Sequence, residues 1–156
     1  MRTGTAVTLA LALLGTPAGA TLGAQTPTTA TAAAASRPFA VEYYYKARWG
    51  SFDEFKALFR KNHYPVLLKE QALGRIVRLA VDSPINHGTE DGRWDMRVTI
   101  VWKDAATAHD DFDNAAILKE LYPDQAAFRK EEQHRFALLL AHWDLPISAE
   151  DLSTWR

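Results

Sequence analysis

The chain has 156 residues, of which 18 are basic, 19 are acidic and none is cysteine, so the formal net charge is −1. This length leaves room for one hydrophobic core and excludes a second large domain. The lack of cysteine excludes disulfides, thiolate catalysis and cysteine-bound zinc or iron–sulfur centres. The near-neutral charge argues against a nucleic-acid partner.

The first 20 residues have the three-part pattern of a secretory signal peptide. Arg2 and the free amine give a positive start, an apolar run covers 6–14, and small residues lead to Ala20, with Ala24 as a second candidate cleavage position. The apolar run is shorter than the roughly 20 residues of a transmembrane helix, and no later segment of the sequence is long enough. We therefore predict export to the periplasm or the medium and no membrane span.

Residues 21–38 are rich in threonine and alanine and carry almost no charge. A segment of this composition cannot bury enough apolar surface to fold, so we predict a disordered linker. The folded part is then a single domain over 39–156.

The segment VEYYYKARW, residues 41–49, alternates between two faces and predicts a half-buried strand. Its apolar face would carry Val41, Tyr43, Tyr45, Ala47 and Trp49. Its polar face would carry Glu42, Tyr44, Lys46 and Arg48. Gly50 ends the strand, and Ser51 is in the N-cap position of a helix whose first turn contains Asp53 and Glu54.

This helix contains the segment KNHYPVL, in which a histidine stands two residues before a proline. Apolar positions recur every three or four residues and would place His63 on the side that faces the core. These positions are Phe52, Phe55, Phe59, His63 and Val66. Pro65 cannot donate to the carbonyl of Lys61, so we expect a kink or a restart before the helix ends at Gly74.

A hairpin with a long loop is predicted next, because two alternating segments follow each other. The first strand would turn Val77, Leu79 and Val81 to one face and Arg78, Ala80 and Asp82 to the other. The second would turn Trp94, Met96, Val98, Ile100 and Trp102 to the core, with Arg93, Asp95 and Arg97 on the polar face.

The remaining chain predicts helices. Asp104 is in an N-cap position, residues 113–122 are helical in pattern, and a longer helix opens at Pro123 and Asp124. We expect that last helix to have one apolar stripe, formed by Phe128, Phe136, Leu139, Leu140 and Trp143. Glu131 and Arg135 would form an ion pair. Beyond it the tail forms either a short edge strand or an irregular cap, because Pro146 argues against a central strand.

The order strand, helix, strand, strand, helix predicts an α+β fold of the ferredoxin-like split βαβ type, an antiparallel sheet with helices on one face. With the segments FRKNHYPVLLK and RWDMRVTIVWKD, this order resembles the dimeric α+β barrel superfamily over residues 41–143. That superfamily includes EthD-like, NIPSNAP-like and antibiotic-biosynthesis monooxygenase-like proteins. The resemblance implies a homodimer of face-to-face sheets and a ligand pocket between sheet and helices. Activities in the superfamily range from cofactor-independent oxygenation to haem handling.

The polar face of the sheet allows three interpretations. It is a solvated face with compensating ion pairs, each worth roughly 0.2 to 1 kcal/mol. Alternatively, it is a polar dimer interface in which arginine–carboxylate pairs fix the register. In the third interpretation Arg78 and Arg97 bind an anionic small molecule.

His63 also has three interpretations: a packing residue, an acid/base group in a pocket, or a ligand to a metal or haem. The adjacent kink and Tyr64 favour a pocket with some polar lining, and partial burial would lower the pKa of His63 and leave a neutral base. The candidate site thus has His63 as catalytic base and Tyr64, Arg78, Arg97 and Trp94 as ligand-binding residues.

Two acidic loops contain side chains of metal-ligand type. One has His87, Glu90, Asp91 and Asp95, and the other has His109, Asp110, Asp111 and Asp113. Neither has the spacing of a zinc-protease helix or a calcium loop, so we assign no metal and no cofactor, and expect the aspartates to cap turns and helices.

We therefore expect an exported homodimer that binds an apolar or aromatic small molecule. Any turnover would be cofactor-independent oxygenation or proton transfer with His63 as the base. The alternative is a non-catalytic binding or assembly protein whose polar sheet face serves only as the homodimer interface.

Overall fold

The computed structural model describes residues 37–86 and 88–155. The predicted signal peptide, most of the predicted linker and His87 lie outside the described residues. The first described element is the strand that begins at Phe39.

Four antiparallel strands form one sheet in the order β2-β3-β1-β4. The strands are β1 (Phe39–Ala47), β2 (Ile76–Asp82), β3 (Met96–Trp102) and β4 (Leu139–Ile147). The strands of the predicted hairpin pair as expected, with Leu79 opposite Ile100. The strand order and the helices on one face are those of a ferredoxin-like α+β fold, so the predicted fold class is confirmed.

Five α-helices, a π-helical turn at Phe59–His63 and a short 3₁₀ turn at Leu152–Thr154 complete the regular elements of the described part of the chain. The helices are α1 (Phe52–Leu58), α2 (Tyr64–Ala72), α3 (Ala105–Ala108), α4 (Ala115–Leu121) and α5 (Gln125–Ala137). Both aspartate caps are confirmed, because Asp104 accepts from the Thr107 N–H and Asp124 accepts from the N–H groups of Ala126 and Ala127. None of the helices among the described residues has the length and hydrophobicity needed to cross a bilayer.

A single apolar core lies between the helices and one face of the sheet. Phe55 and Phe59 from the first helix pack on the ring of Tyr45, and all three are buried. The sheet side of this core is completed by alternate residues of β3, namely Met96, Val98, Ile100 and Trp102. Strict alternation in β1 and β3 therefore predicted the core face correctly.

The helical segment 52–72 is here called the first helix. It restarts at the predicted place through a π-helical turn, Phe59–His63, that separates α1 from α2. The N–H of Tyr64 donates to the carbonyl of Phe59, five residues back. Pro65 then falls in the first turn of α2, where an N–H is not needed.

Two carbonyl groups of this turn accept hydrogen bonds from another element. The hydroxyl of Tyr122, which follows α4, donates to the carbonyl of Lys61 at 3.1 Å and to that of Asn62 at 2.8 Å. A tyrosine 60 residues away therefore stabilises the irregular turn beside His63.

Two expectations for the C-terminal region are wrong. The last helix ends at Ala137, and Leu139, Leu140 and Trp143 belong to the edge strand β4. Pairing with β1 decides this conformation, because a leucine-rich segment fits a helical and an extended pattern equally well. The predicted Glu131–Arg135 pair is replaced by an ion pair between Arg135 and Glu132.

Several side chains depart from their predicted faces. Trp94, expected in the core, lies against Tyr44 and Arg97 on the opposite face of the sheet. Phe136, expected on the apolar stripe of the last helix, is 52% exposed. Trp49 lies beyond the end of β1 and is 71% exposed. Val77 is 57% exposed because a bulge between Ile76 and Arg78 changes the strand register. Arg93, expected on the polar face, is buried before the start of β3.

Candidate functional site

A cavity of about 580 Å³ lies between the first helix and the strand β2. Its apolar lining comes from the π-helical turn and from strands β2 and β3, and consists of Phe59, Leu79, Ala80, Val81 and Met96. Because β2 is an edge strand, the cavity lies at one side of the sheet and is open to solvent.

The polar lining of this cavity is cationic and hydroxylic. Lys56 and Arg60 lie four residues apart on the first helix, and Tyr64 follows four residues later. Ser83, directly after β2, contributes a second hydroxyl. None of the nine lining residues carries a carboxylate, so the cavity combines an apolar wall with a positive rim.

His63 is not among the residues that line this cavity, and it lies elsewhere on the helix-covered side of the sheet. The half-buried imidazole packs on the ring of Phe59, with 5.0 Å between the ring centroids. Burial, reinforced by the positive charge of Arg135, lowers the pKa of His63 to about 4. At neutral pH the side chain is therefore an uncharged imidazole.

Arg135 of α5 forms the polar centre of the region around His63. The guanidinium is buried, its Nε and Nη2 donate to the carboxylate of Glu132 at 2.9 and 2.7 Å, and it lies 4.5 Å from the ring centroid of Phe136. Its Nη1 is buried and has no hydrogen-bond partner among residues 37–86 and 88–155. A donor in this situation retains unused hydrogen-bonding capacity.

His142 on β4 adds a second imidazole to this region. Its ring stacks on Tyr45 with 4.4 Å between centroids, and its Nε2 lies 3.2 Å from the carboxylate of Asp144. Burial raises the pKa of the Tyr45 hydroxyl, so that side chain stays protonated in the core.

Acidification from pH 7 to pH 5 should destabilise the wild-type protein by about 2 kcal/mol more than a His63→Gln variant. The unfolded chain protonates His63 near pH 6.5, whereas the folded chain does so only near pH 4. Between these values the proton binds preferentially to the unfolded state, and stability falls as the pH falls. Urea denaturation of both proteins at the two pH values measures the difference, and equal losses would contradict it.

The face of the sheet that the helices leave uncovered, here called the open sheet face, combines aromatic and charged side chains. Tyr44 stacks on Trp143 with centroids 5.2 Å apart, and Trp94 meets the edge of Tyr44 at 5.5 Å. Arg97 pairs with Glu42 and with Asp82, each at 3.0 Å. The charge of Arg97 is thus compensated within one chain, whereas Arg78 on the same face has no ion-pair partner among the described residues.

The structure distributes the predicted site residues over three places. Tyr64 lines the cavity, and His63 lies in the Arg135 region. Trp94 and Arg97 meet on the open sheet face, where the guanidinium lies 5.8 Å from the indole ring. Arg78 is exposed on β2 and faces the same side as Val101.

Carboxylates in both acidic loops bind other partners. Glu90 forms ion pairs with Lys46 and Arg93, and Asp110 pairs with Arg75 at 2.6 Å. Asp113 accepts from the N–H of Ala115 at the start of α4. In the part of the chain that the structure describes, which omits His87, no three His, Cys, Asp or Glu residues are grouped to hold a metal.

Sequence reasoning missed four polar residues of these sites: Lys56, Arg60, Asn62 and Arg135. Asn62 is 1% exposed and occupies the deepest place in the π-helical turn, where we expected His63. The regular spacing of positions 56, 60 and 64 was the one available signal for the polar rim. Arg135 carried no such signal, because its proximity to His63 joins two distant segments of the chain.

The strand order and the helices on one face define a ferredoxin-like α+β protein. The chain is also similar to several solved structures. A dimeric ferredoxin-like protein from an uncultured marine organism has 6% identity and a TM-score of 0.47, covering 73% of this chain and 90% of the other. A NIPSNAP family protein from Agrobacterium tumefaciens has 15% identity and a TM-score of 0.44, covering 77% and 100%.

A candidate antibiotic biosynthesis monooxygenase from Bacteroides thetaiotaomicron has 8% identity and a TM-score of 0.43, covering 72% of this chain and 90% of the other. The descriptions of the last two proteins name two of the groups that the sequence resembles. No protein-family profile matches the chain, and no curated protein matches it in sequence.

Proposed function

We propose that the protein binds an apolar or aromatic small molecule in the cavity between the first helix and β2. The observation that carries this proposal is a preformed space of about 580 Å³ with an apolar wall and a few polar groups on one side. Binding sites for small molecules typically have this construction and a volume of roughly 300 to 1,000 Å³.

A matched pair of substitutions on one strand tests this proposal. Val81 lines the cavity, whereas Val77 is comparably exposed on the same strand but lies outside the lining. Val81→Phe should occupy part of the space and weaken binding about tenfold, which corresponds to about 1.4 kcal/mol. Val77→Phe adds the same side chain without occupying the cavity and should leave binding unchanged.

Fluorescence titration with phenylnaphthylamine, a flat apolar probe, provides the measurement, and a thermal-shift screen of aromatic metabolites extends it. Saturable binding by wild type that is lost only in Val81→Phe supports the proposal. No binding by wild type, or equal binding by both variants, overturns it.

We also propose that two copies associate through the open sheet face. This face exposes Leu145 to 47% and Ile147 to 40% next to the Tyr44–Trp143 stack, while Arg97 is already paired within its own chain. Apolar and aromatic surface with internally compensated charge is suited to contact with an identical copy around a two-fold axis.

A second candidate function, proton transfer or cofactor-independent oxygenation, rests on the Arg135 region. A neutral His63 can accept a proton at neutral pH, and the free Nη1 of buried Arg135 can stabilise an oxyanion nearby. In this case His63→Gln retains ligand binding but abolishes turnover. A variant that still turns over the ligand would exclude His63 as the base. Absence of turnover by wild type would leave the non-catalytic alternative, in which the protein only binds or assembles.

Export remains part of the proposal, and the pattern of the first 20 residues supports it. Expression of the full chain should yield a product whose N-terminus lies after Ala20 or Ala24. Intact-mass measurement of the periplasmic and cell fractions tests this, and an unprocessed chain confined to the cytoplasm would contradict it.

A further inference from the structure

We infer that the cavity selects ligands with an anionic group, and that Lys56 and Arg60 hold this group while the apolar body lies on Phe59 and Met96. This inference rests on the proposed binding function and names its ligand class: amphipathic aromatic or aliphatic acids. The chemistry to be recognised is one carboxylate, sulfonate or similar anion on a body without further charge.

The first observation is the placement of the two cations. Lys56 and Arg60 are separated by four residues, so their side chains share one face of the helix and both line the cavity. Two like charges at this spacing repel each other, and an anion bound between them removes the repulsion.

The second observation is that both cations lack a carboxylate partner. In the described ranges 37–86 and 88–155, no Asp or Glu oxygen lies within 4.0 Å of either side chain's nitrogen atoms. Other lysines of the same helix are paired, Lys61 with Glu131 and Lys69 with Glu120, each at 2.6 Å. The cations on the cavity side are therefore available to a ligand.

The third observation concerns the rest of the lining. Lys56 is half-buried with its Nζ 5.6 Å from the ring centroid of Phe52, so its charge lies against an apolar surface where electrostatic attraction is less screened. The hydroxyls of Tyr64 and Ser83 add neutral donors, and no lining carboxylate opposes an anion. A neutral ligand would contact the apolar wall of the cavity but would not interact strongly with the charged groups of Lys56 and Arg60.

Two fluorescent probes that differ only in the anionic group test the inference. Anilinonaphthalene sulfonate and phenylnaphthylamine share the same ring system, and only the first carries a sulfonate. Wild type should bind the sulfonate about tenfold more tightly, and added salt should reduce this preference. In a Lys56→Gln/Arg60→Gln double variant the preference should disappear while the affinity for the neutral probe is retained.

A Lys103→Gln/Lys119→Gln variant removes the same charge from exposed positions outside the cavity lining and should keep the preference.

Binding of both probes with equal affinity by wild type would overturn the inference and leave the binding function intact. Binding of neither probe would instead overturn the binding function. A preference that survives in the Lys56/Arg60 variant shows that the anion is held elsewhere and also overturns the inference. Thermal melting curves of all variants establish that each one is folded before its probe affinity is compared with that of wild type.

Discussion

Replacement of Arg93 by alanine should lower the free energy of unfolding by about 3 to 5 kcal/mol, the usual cost of removing one partner of a buried ion pair. Arg93 is 5% exposed, and its Nη1 donates to both carboxylate oxygens of Asp95 at 2.8 and 2.6 Å. Its Nη2 donates to the carbonyl of Ala47 at 3.0 Å, so the pair also fixes the end of β1. Alanine would leave Asp95 charged and largely buried.

Urea denaturation of wild type and Arg93→Ala at neutral pH measures this effect. Arg78→Ala is the control, because Arg78 is exposed and forms no ion pair with any described residue, and it should change stability by less than about 0.5 kcal/mol. If both variants unfold at the same urea concentration, the Arg93–Asp95 pair does not stabilise the strand end.

The second large effect is expected at the open sheet face, where Leu145→Glu should convert the proposed dimer to monomer. A two-fold axis places two copies of the new carboxylate in one interface, so each dimer has to bury two charges. A penalty of about 3 kcal/mol raises the dissociation constant about 100-fold.

Light scattering or sedimentation of the tag-free chain over a dilution series measures the association. Ile85→Glu is the matched control, since Ile85 is 99% exposed in the loop after β2 and lies outside the sheet. A monomeric wild type, or dissociation caused equally by both substitutions, would contradict the proposed interface.

Elements with a single decisive pattern could be predicted from the sequence. Strict alternation fixed β1 and β3, and the side chains of Asp104 and Asp124 fixed the starts of two helices. The start of β4 was not predicted, because its leucines fit a helical and an extended periodicity equally well. Pro146 indicated only that any strand here would be an edge strand. The hydrogen bonds to β1 that select the strand are formed by residues about 100 positions away.

The candidate sites were predicted less completely than the fold. The helical pattern located the irregular turn near Pro65, but it assumed regular geometry and placed His63 where Asn62 is buried. The lowered pKa of His63 comes first from burial and then from the charge of Arg135 on α5, and no local pattern relates these two residues. The cavity itself depends on the distance between a helix and an edge strand, which a one-dimensional pattern does not contain.

The two edges of the sheet also bear on how the chain avoids aggregation. A free strand edge can recruit the strand of another molecule through its unpaired backbone groups. On β4, Pro146 has no N–H to offer to an added strand, and on β2 the bulge between Ile76 and Arg78 interrupts the regular spacing of backbone donors and acceptors. Both edges are thus protected against growth into a continuous sheet.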